Sequence, residues 1–586
     1  MNKKIIIIKQ LPFVISIFAI LAVIYDLGFN HQPVERELLQ LLYLFAMCVG
    51  VSSISARYFF RKTRPKLDIL PFDAFLVLFI LILIFLDVEL LFENQFSFLH
   101  FLNERVWVYL ALFLIFIREL SSSEIDFKRM TINPAQLFIL SFLFIIIVGG
   151  GMLLLPNATY TEISIIDALF TSTSAVCVTG LVVVDTGSYF TEFGQYIILL
   201  LIQLGGLGIM TFTSYFSYFF KAGSSYENQL LMSAMTNTGK IGEVFSTLKR
   251  IIIITLIIEG LGALLIFHSL DIANIPSIFD RIFFSVFHSI SGFCNAGFST
   301  LQNSFYEPAY RFNYPLHLII ASLIILGGIG FPIVFNLLSY IKNNVKNLFF
   351  YLFDRKHHIS LHHIINVNTR IVLVTSLILT IAGTILFYVF EYNNTLAEHG
   401  FFGKIITAFF GSVTTRTAGF NTVDNSVIGV PAIMIMLFLM WVGASPGSTG
   451  GGIKTSTLAI AFLNFISLAK GKPSIEAFKR EISQKSVNRA FAIITLSILV
   501  IFMAIFSISI SDPEKGLLNI TFECVSAFGT VGLSRGITAG MSDPGKFVLI
   551  LTMFIGRVSM LTIFIALFKK LAKHEYLYPS EEVLIN

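Results

Sequence analysis

The chain has 586 residues, of which 55% are hydrophobic and 13% charged, with a net charge of +5. Soluble domains carry about 25% charged residues, so a chain this apolar reads as a polytopic membrane protein, and the small net charge gives no basis for nucleic-acid binding. The four cysteines, Cys48, Cys177, Cys294 and Cys524, lie in apolar segments without metal-ligand spacing and read as small buried fillers.

Apolar runs near the length of a bilayer crossing recur along the chain. They fall near 12–30, 37–56, 69–92, 105–119, 135–155, 193–220, 250–269, 315–341, 370–391, 429–468, 490–510 and 546–569. No small-residue cleavage site follows the first run, which reads as an uncleaved span. Basic clusters occupy every second boundary: Lys3, Lys4 and Lys9; Arg57 to Lys66; Lys249 and Arg250; Lys342 to Lys356; Lys470 to Arg480; Lys569 to Lys573. Positive charge marks the cytoplasmic side, so both termini are expected there. The first four spans, within 1–130, form an accessory block. None carries the Arg or Lys at every third position that a voltage sensor needs.

From 131 onward the chain repeats itself. Four phrases align: Phe170 to Gly180, Phe287 to Gly297, Phe409 to Gly419 and Phe522 to Gly532, each a Phe ten residues before a Gly that a bulky apolar residue follows. The four glycines are 117, 122 and 113 residues apart, a period that signals a repeated unit. The units are read as 131–220, 221–345, 346–472 and 473–586, each a span, a short apolar helix, a Gly-containing loop and a second span. The short helices are too short to cross and must enter and return, which lipid tolerates only where the backbone lines a cavity. Ordinary extracellular turns rich in Gly are the alternative, but they would not carry matched apolar helices.

The loop chemistry suits an ion filter. The candidate residues are Val176, Cys177, Val178, Thr179 and Gly180; Phe293, Cys294, Asn295, Ala296 and Gly297; Thr415, Arg416, Thr417, Ala418 and Gly419; and Phe528, Gly529, Thr530, Val531 and Gly532. Gly lets successive carbonyls turn to one side, and four strings of carbonyl oxygens around an axis replace the hydration shell of potassium. Thr530-Val531-Gly532 reproduces the start of the T-V-G-Y-G channel filter. Arg416 is expected to point away from the ions and brace its loop. Asp167 and Asp280 fall at the starts of short helices, and Glu523 and Glu259 at membrane depth; pairing within the protein and a role behind the filter are both open for them.

Cys294-Asn-Ala-Gly-Phe298, Thr415-Arg-Thr-Ala-Gly-Phe-Asn421 and the long Gly443-Ala-Ser-Pro-Gly-Ser-Thr-Gly-Gly-Gly-Ile-Lys454 resemble signatures of the Trk/Ktr/HKT superfamily of potassium transporters, bacterial branch, over roughly 135–570. The resemblance implies an all-α membrane fold with four M1–P–M2 repeats around a central pore, here preceded by about four extra helices. It also implies potassium uptake, with sodium or proton coupling left open, a homodimer in the bacterial inner membrane, and a cytoplasmic nucleotide-binding (RCK-type) regulatory subunit. Gly at all four filter ends is similar to the potassium-selective members; a Ser in place of Gly180 would suggest sodium transport.

The run 429–468 is too long for one regular helix. Its segment Ser445, Pro446, Gly447, Ser448, Thr449, Gly450, Gly451, Gly452, Ile453, Lys454 cannot hold helical geometry. In the resembled family such a loop gates the pore. Arg557 reads as mid-helix, and the family has an Arg there that points into the pore; an intramembrane Arg is functional by default. Gly205-Gly206-Leu207-Gly208 and Gly327-Gly328-Ile329-Gly330 read as packing or bending sites, with hinging near the gate as the alternative. A secondary transporter of another monovalent cation such as sodium is the competing class, although these repeats share one topology where such transporters invert theirs. No enzyme motif and no phosphate-binding G-x-x-x-x-G-K-[ST] in strand–helix context appears, so the chain is read as neither an enzyme nor the holder of a tight cofactor, with K+ as its cargo. His357, His358, His362 and His363 fall in a cytoplasmic loop and read as partner-facing, with metal binding as the alternative.

Overall fold

A computed structural model describes residues 3–59, 70–91, 105–122, 134–221, 244–353, 365–472, 474–559 and 562–564. The His357–His363 cluster lies outside them. The chain divides into two compact units: one comprises 1–130 with 155–160, the other 131–154 and 161–586.

The first unit holds α1 (Lys3–Gly28), α2 (Pro33–Phe59), α3 (Leu70–Leu91) and α4 (Arg105–Ser122). Their middles are apolar and meet around Ala19, Tyr43, Met47, Leu76, Ile80, Ala111 and Ile115. Gly50 of α2 lets Ile115 of α4 lie where a Cβ would stand only 2.8 Å from its Cδ1, the close approach small residues give membrane helices. Charges sit at the helix ends and pair there. Arg118 forms a fork on Asp73 (2.5 and 2.8 Å), which also accepts from the Tyr58 hydroxyl (2.6 Å). Arg57 pairs with Glu119. At the other end Asp26 accepts from Tyr43 (3.0 Å) and Tyr109 (2.7 Å).

The second unit is four variations on one theme. α5 (Pro134–Leu153), α6 (Ile165–Val176) and α7 (Glu192–Lys221) form the first. α8 (Val244–Ser269), α9 (Ile278–Phe293), α10 (Tyr314–Ile329) and α11 (Phe331–Phe353) form the second. α12 (Val367–Glu391), α13 (Phe401–Thr414), α14 (Val430–Trp441) and α15 (Thr455–Ala469) form the third. α16 (Gln484–Ser511), α17 (Leu517–Gly529) and α18 (Asp543–Val558) form the fourth. A hairpin of β1 (Ile475–Ala477) and β2 (Arg480–Ile482), paired Ile475↔Ile482 to Ala477↔Arg480, joins the last two. Among the described residues six helices are long and apolar enough to cross a membrane, and α10 with α11 make a seventh if the bent pair is one span.

Three of the four short helices pack on the preceding long ones by one recurring device. A Ser on the short helix inserts against a Gly on the long one and donates to the carbonyl three residues earlier. Ser172 lies against Gly149 and bonds Ile146 O (2.7 Å); Ser289 against Gly262 and Glu259 O (2.6 Å); Ser412 against Gly383 and Thr380 O (2.9 Å). Two of the short helices begin on a side-chain cap: Ser164 Oγ accepts from Asp167 N–H (3.1 Å) and Ser277 Oγ from Asp280 N–H (3.4 Å). The Asp167 carboxylate itself pairs with Lys546 (2.6 Å).

Two sequence expectations are corrected. The span read as 315–341 is two helices bent by 100° at Gly330 (φ +94°), because the Phe331 N–H donates to Gly447 O (3.0 Å) of a distant loop. Arg557 is not mid-helix: α18 ends at Val558, with Ser559 at φ +74°, so Arg557 occupies the last turn.

Candidate functional site

Each short helix delivers its C-terminus to the same place. After it, two residues take left-handed backbone angles with one residue between them: Val178 (φ +55°) and Gly180 (+85°), Asn295 (+59°) and Gly297 (+71°), Thr417 (+77°) and Gly419 (+80°), Thr530 (+50°) and Gly532 (+91°). A left-handed residue at every second position turns the loop carbonyls toward one side. The glycines were legible in the sequence; the non-glycine partners two positions earlier were not. Each costs about 1–3 kcal/mol and persists only where surroundings impose it. Here the imposing bonds are local. Thr179 N–H donates to Ser174 O and Gly180 N–H to Ser174 Oγ (2.8 and 3.0 Å); Val531 and Gly532 N–H repeat this on Ser526 O and Oγ (2.9 and 3.1 Å).

The four loops close into a ring. A Cβ on Gly180 would overlap the Ala296 carbonyl oxygen; on Gly297, that of Ala418; on Gly419, that of Val531; on Gly532, that of Thr179. Each glycine therefore abuts the carbonyl before the next loop's glycine, in the order one to two to three to four and back to one. Asn295 ties loops two and three, its amide oxygen accepting from Thr417 Oγ1 (3.0 Å) and its nitrogen donating to Ile324 O (3.2 Å). Val176, Cys177, Val178, Thr179, Phe293, Cys294, Ala296, Thr415, Ala418, Phe528, Gly529 and Val531 are all buried in this ring. The C-terminal, partially negative ends of four helices meet there, a field that favours a cation. Arg416 turns outward from the ring and donates to Ser376 O (3.2 Å), Ser376 Oγ (3.2 Å) and Thr380 Oγ1 (3.1 Å). Glu523 lies behind loop four and accepts from Ser534 Oγ, Arg535 N–H (3.0 Å) and Thr538 Oγ1 (2.9 Å), bracing the chain just after Gly532.

On one side the four glycines floor a cavity of about 510 Å³ lined by Asp185, Asp424 and Arg535 among polar residues. On the other side lies the break between α14 and α15. Thr449 Oγ1 donates to Phe293 O (3.4 Å), the inner end of loop two, and Gly451 N–H to Thr530 Oγ1 (2.9 Å). A Cβ on Gly450 would overlap Thr417 Oγ1. Ser445 and Thr449 N–H donate to Gly328 O (3.0 Å) and Gly327 O (3.4 Å). Thus the segment Ser445 to Lys454 is pressed against the inner face of the ring, with Pro446 O and Gly447 at the Gly330 bend, Ser448 folded back on Ser445 O (2.6 Å), and Gly452 against Gly443. Lys454 Nζ donates to Gly450 O (2.6 Å) and Gly451 O (3.3 Å). Arg557 donates to Thr449 O and to Gly205 O (2.6 Å) of α7, stitching the loop to the first repeat. Gly205 in turn packs on Val176 O, as Gly327 does on Phe293 O and Gly556 on Phe528 O.

A family model described as TrkH, a cation transport protein, matches residues 128–577. The chain belongs to the TrkH family. It is similar to the potassium/sodium uptake protein NtpJ of Enterococcus hirae, 36% identical over 78% of this chain and 98% of the relative. Similarity is equal, 36%, to Ktr system potassium uptake protein B of Bacillus subtilis, over 78% of this chain and 97% of the relative. Among solved structures it resembles the potassium transporter TrkH from Vibrio parahaemolyticus, TM-score 0.60 and 17% identity, over 84% of this chain and 97% of that one. The matched stretch contains all four loops and the gate-like break, so this multi-pass TrkH-family protein is a transporter and not an enzyme.

Proposed function

We propose that this chain takes up potassium across the bacterial plasma membrane through the four-loop ring, and that the Ser445–Lys454 segment gates it from the cytoplasmic side. The observation that carries the reading is the closed ring of glycines, each abutting the next loop's carbonyl, with left-handed residues two apart in every loop. Such a ring offers backbone oxygens to a dehydrated monovalent cation. The filter carbonyls are those of residues 176–180, 293–297, 415–419 and 528–532. Relatives named for potassium uptake support the choice of ion. Gly180 supports it as well, since any side chain there would push on the Ala296 carbonyl and reshape the outermost ion site.

The Ser445–Lys454 segment touches loops two, three and four from the inner side, and Arg557 ties it to α7, which supports reading the described arrangement as shut. Opening requires Thr449 and Gly451 to leave the ring. The basic clusters support a cytoplasmic position for both termini. The assembly the Trk/Ktr resemblance supports is a homodimer with a cytoplasmic RCK-type nucleotide-binding subunit. The repeats are those bounded near 131, 221, 346 and 473. The test is rescue of a potassium-uptake-deficient strain at low potassium, with and without sodium and with the regulatory subunit supplied. Growth is expected; failure despite verified membrane insertion refutes the reading, and sodium dependence of the rescue separates coupled from channel-like uptake.

A further inference from the structure

Away from the ring, α12 and α15 splay apart around a cavity of about 530 Å³, within the roughly 300–1,000 Å³ typical of ligand sites. One wall is a face of α12: Ile371, Val374, Ile378. The other is a face of α15: Leu458, Phe462, Leu463. Phe438 of α14 closes one end. The hairpin β1–β2 closes the other through Glu476, Ala477 and Phe478. Val374, Ile378, Phe438 and Phe462 are largely exposed, Phe462 at 63%, so the cavity opens on the outer surface of the bundle.

The hairpin is built at a cost. Its two-residue turn is Phe478-Lys479, with φ +51° and +63°. Such a turn calls for Asn-Gly or Gly-Gly, and a bulky residue in that region is strained. The strain presents the Phe478 ring, 46% exposed, at the cavity mouth and sets Lys479 beside it. Arg370 lies 5.9 Å over that ring, and Arg480 pairs across the hairpin with Ala477. Glu476 is neutralised by Lys472 (2.9 Å). Arg370, Lys479 and Arg480 are exposed and, among the described residues, unpaired with any carboxylate, although Glu481 stands nearby on β2.

We propose that this cavity holds one acyl chain of an anionic phospholipid from the cytoplasmic leaflet, with its headgroup on Arg370, Lys479 and Arg480. The leaflet assignment rests on the orientation proposed above. An apolar slot on a lipid-facing surface with a cationic rim fits a lipid with a negative head. The site bears on gating through covalent continuity: α15 begins at Thr455, directly after Lys454 of the gate segment, and Thr455 N–H donates to Ala444 O (3.3 Å). A chain wedged between α12 and α15 fixes the angle at which α15 leaves the gate, and Ser467 Oγ on Ser474 O (2.8 Å) locks the hairpin to the same helix.

The test measures retained lipid on the purified full-length protein by native mass spectrometry, with phosphatidylglycerol and phosphatidylcholine of matched chains as probes. Preferential retention of phosphatidylglycerol is expected. It should fall about fivefold for each cation removed in the surface variants Lys479→Gln and Arg480→Gln, which leave the core untouched, and should be lost in Ala459→Trp, which fills the slot. Equal retention of both lipids, or retention unchanged in all three variants, overturns the proposal. So does efficient cross-linking between two copies through Ile378→Cys, which would put a second subunit in the slot. None of these readouts depends on which ion is carried, so a failure here is distinct from a failure of potassium uptake.

Discussion

The buried cations around the ring differ from those of the N-terminal unit, although the second unit also holds one buried pair, Lys546 on Asp167 (2.6 Å). In the N-terminal unit every described cluster is a set of ion pairs: Arg118 on Asp73, Arg57 on Glu119, Arg105 on Asp26. In the second unit Arg416, Lys454 and Arg557 bind backbone carbonyls and hydroxyls and, among the described residues, no carboxylate. A paired charge is neutralised and clamps helices together. A cation held only on carbonyl oxygens keeps its full field. Lys454 and Arg557 lie on the inner side of a ring of oxygens suited to cations, and under the gating proposal Arg557 there opposes the passage of the ion.

The largest effect is expected at the ring. Gly532→Ala places a methyl on the Thr179 carbonyl and forces a side chain into φ +91°. Selective uptake of potassium over sodium, measured as rescue at low potassium, should be lost while the protein still inserts. Breaking a scaffold pair should behave differently. Arg118→Met strands the buried Asp73 carboxylate and should cost about 3–5 kcal/mol, read as a lower thermal unfolding temperature, with ion selectivity unchanged. If selectivity moved as well, the division between scaffold and pore would fail.

Arg557→Gln is the sharper probe of the gate. It removes charge-assisted bonds to Thr449 O and Gly205 O, each about 1.5–3 kcal/mol. Losing the equivalent of one shifts the shut-to-open balance by roughly tenfold to a hundredfold, so rubidium tracer flux without the regulatory subunit should rise. Ser172→Ala is milder. It deletes the bond to Ile146 O, a carbonyl that keeps its helical partner within α5, costing about 0.5–1.5 kcal/mol in thermal stability with little change in flux.

Much of this was legible in the sequence because the ring is written in local chemistry. A Phe ten residues before a Gly, four times, predicted both the short helices and the loops, and the run from Ser445 to Lys454 announced its own break. Arg416 faces outward as expected. What stayed hidden depends on distant partners. Gly205-Gly206-Leu207-Gly208 and Gly327-Gly328-Ile329-Gly330 look alike, yet α7 runs straight through the first and the chain bends by 100° at the second. The difference is the gate segment, whose Gly447 carbonyl receives the Phe331 N–H. The left-handed Val178, Thr417 and Thr530 were equally hidden, since β-branched residues disfavour that geometry; Asn295 alone is of a type that favours it. The matched Ser–Gly contacts of Ser172, Ser289 and Ser412 could have been found by aligning the helix before each loop as well as the loop itself.

The central claim is that the segment pressed on the inner face of the ring holds the pore shut. Deleting Gly447–Gly451 and measuring rubidium tracer flux into proteoliposomes tests it most directly. Flux should rise well above that of the intact chain with potassium still preferred over sodium, whereas unchanged or lower flux in a folded, membrane-inserted deletion would contradict the account.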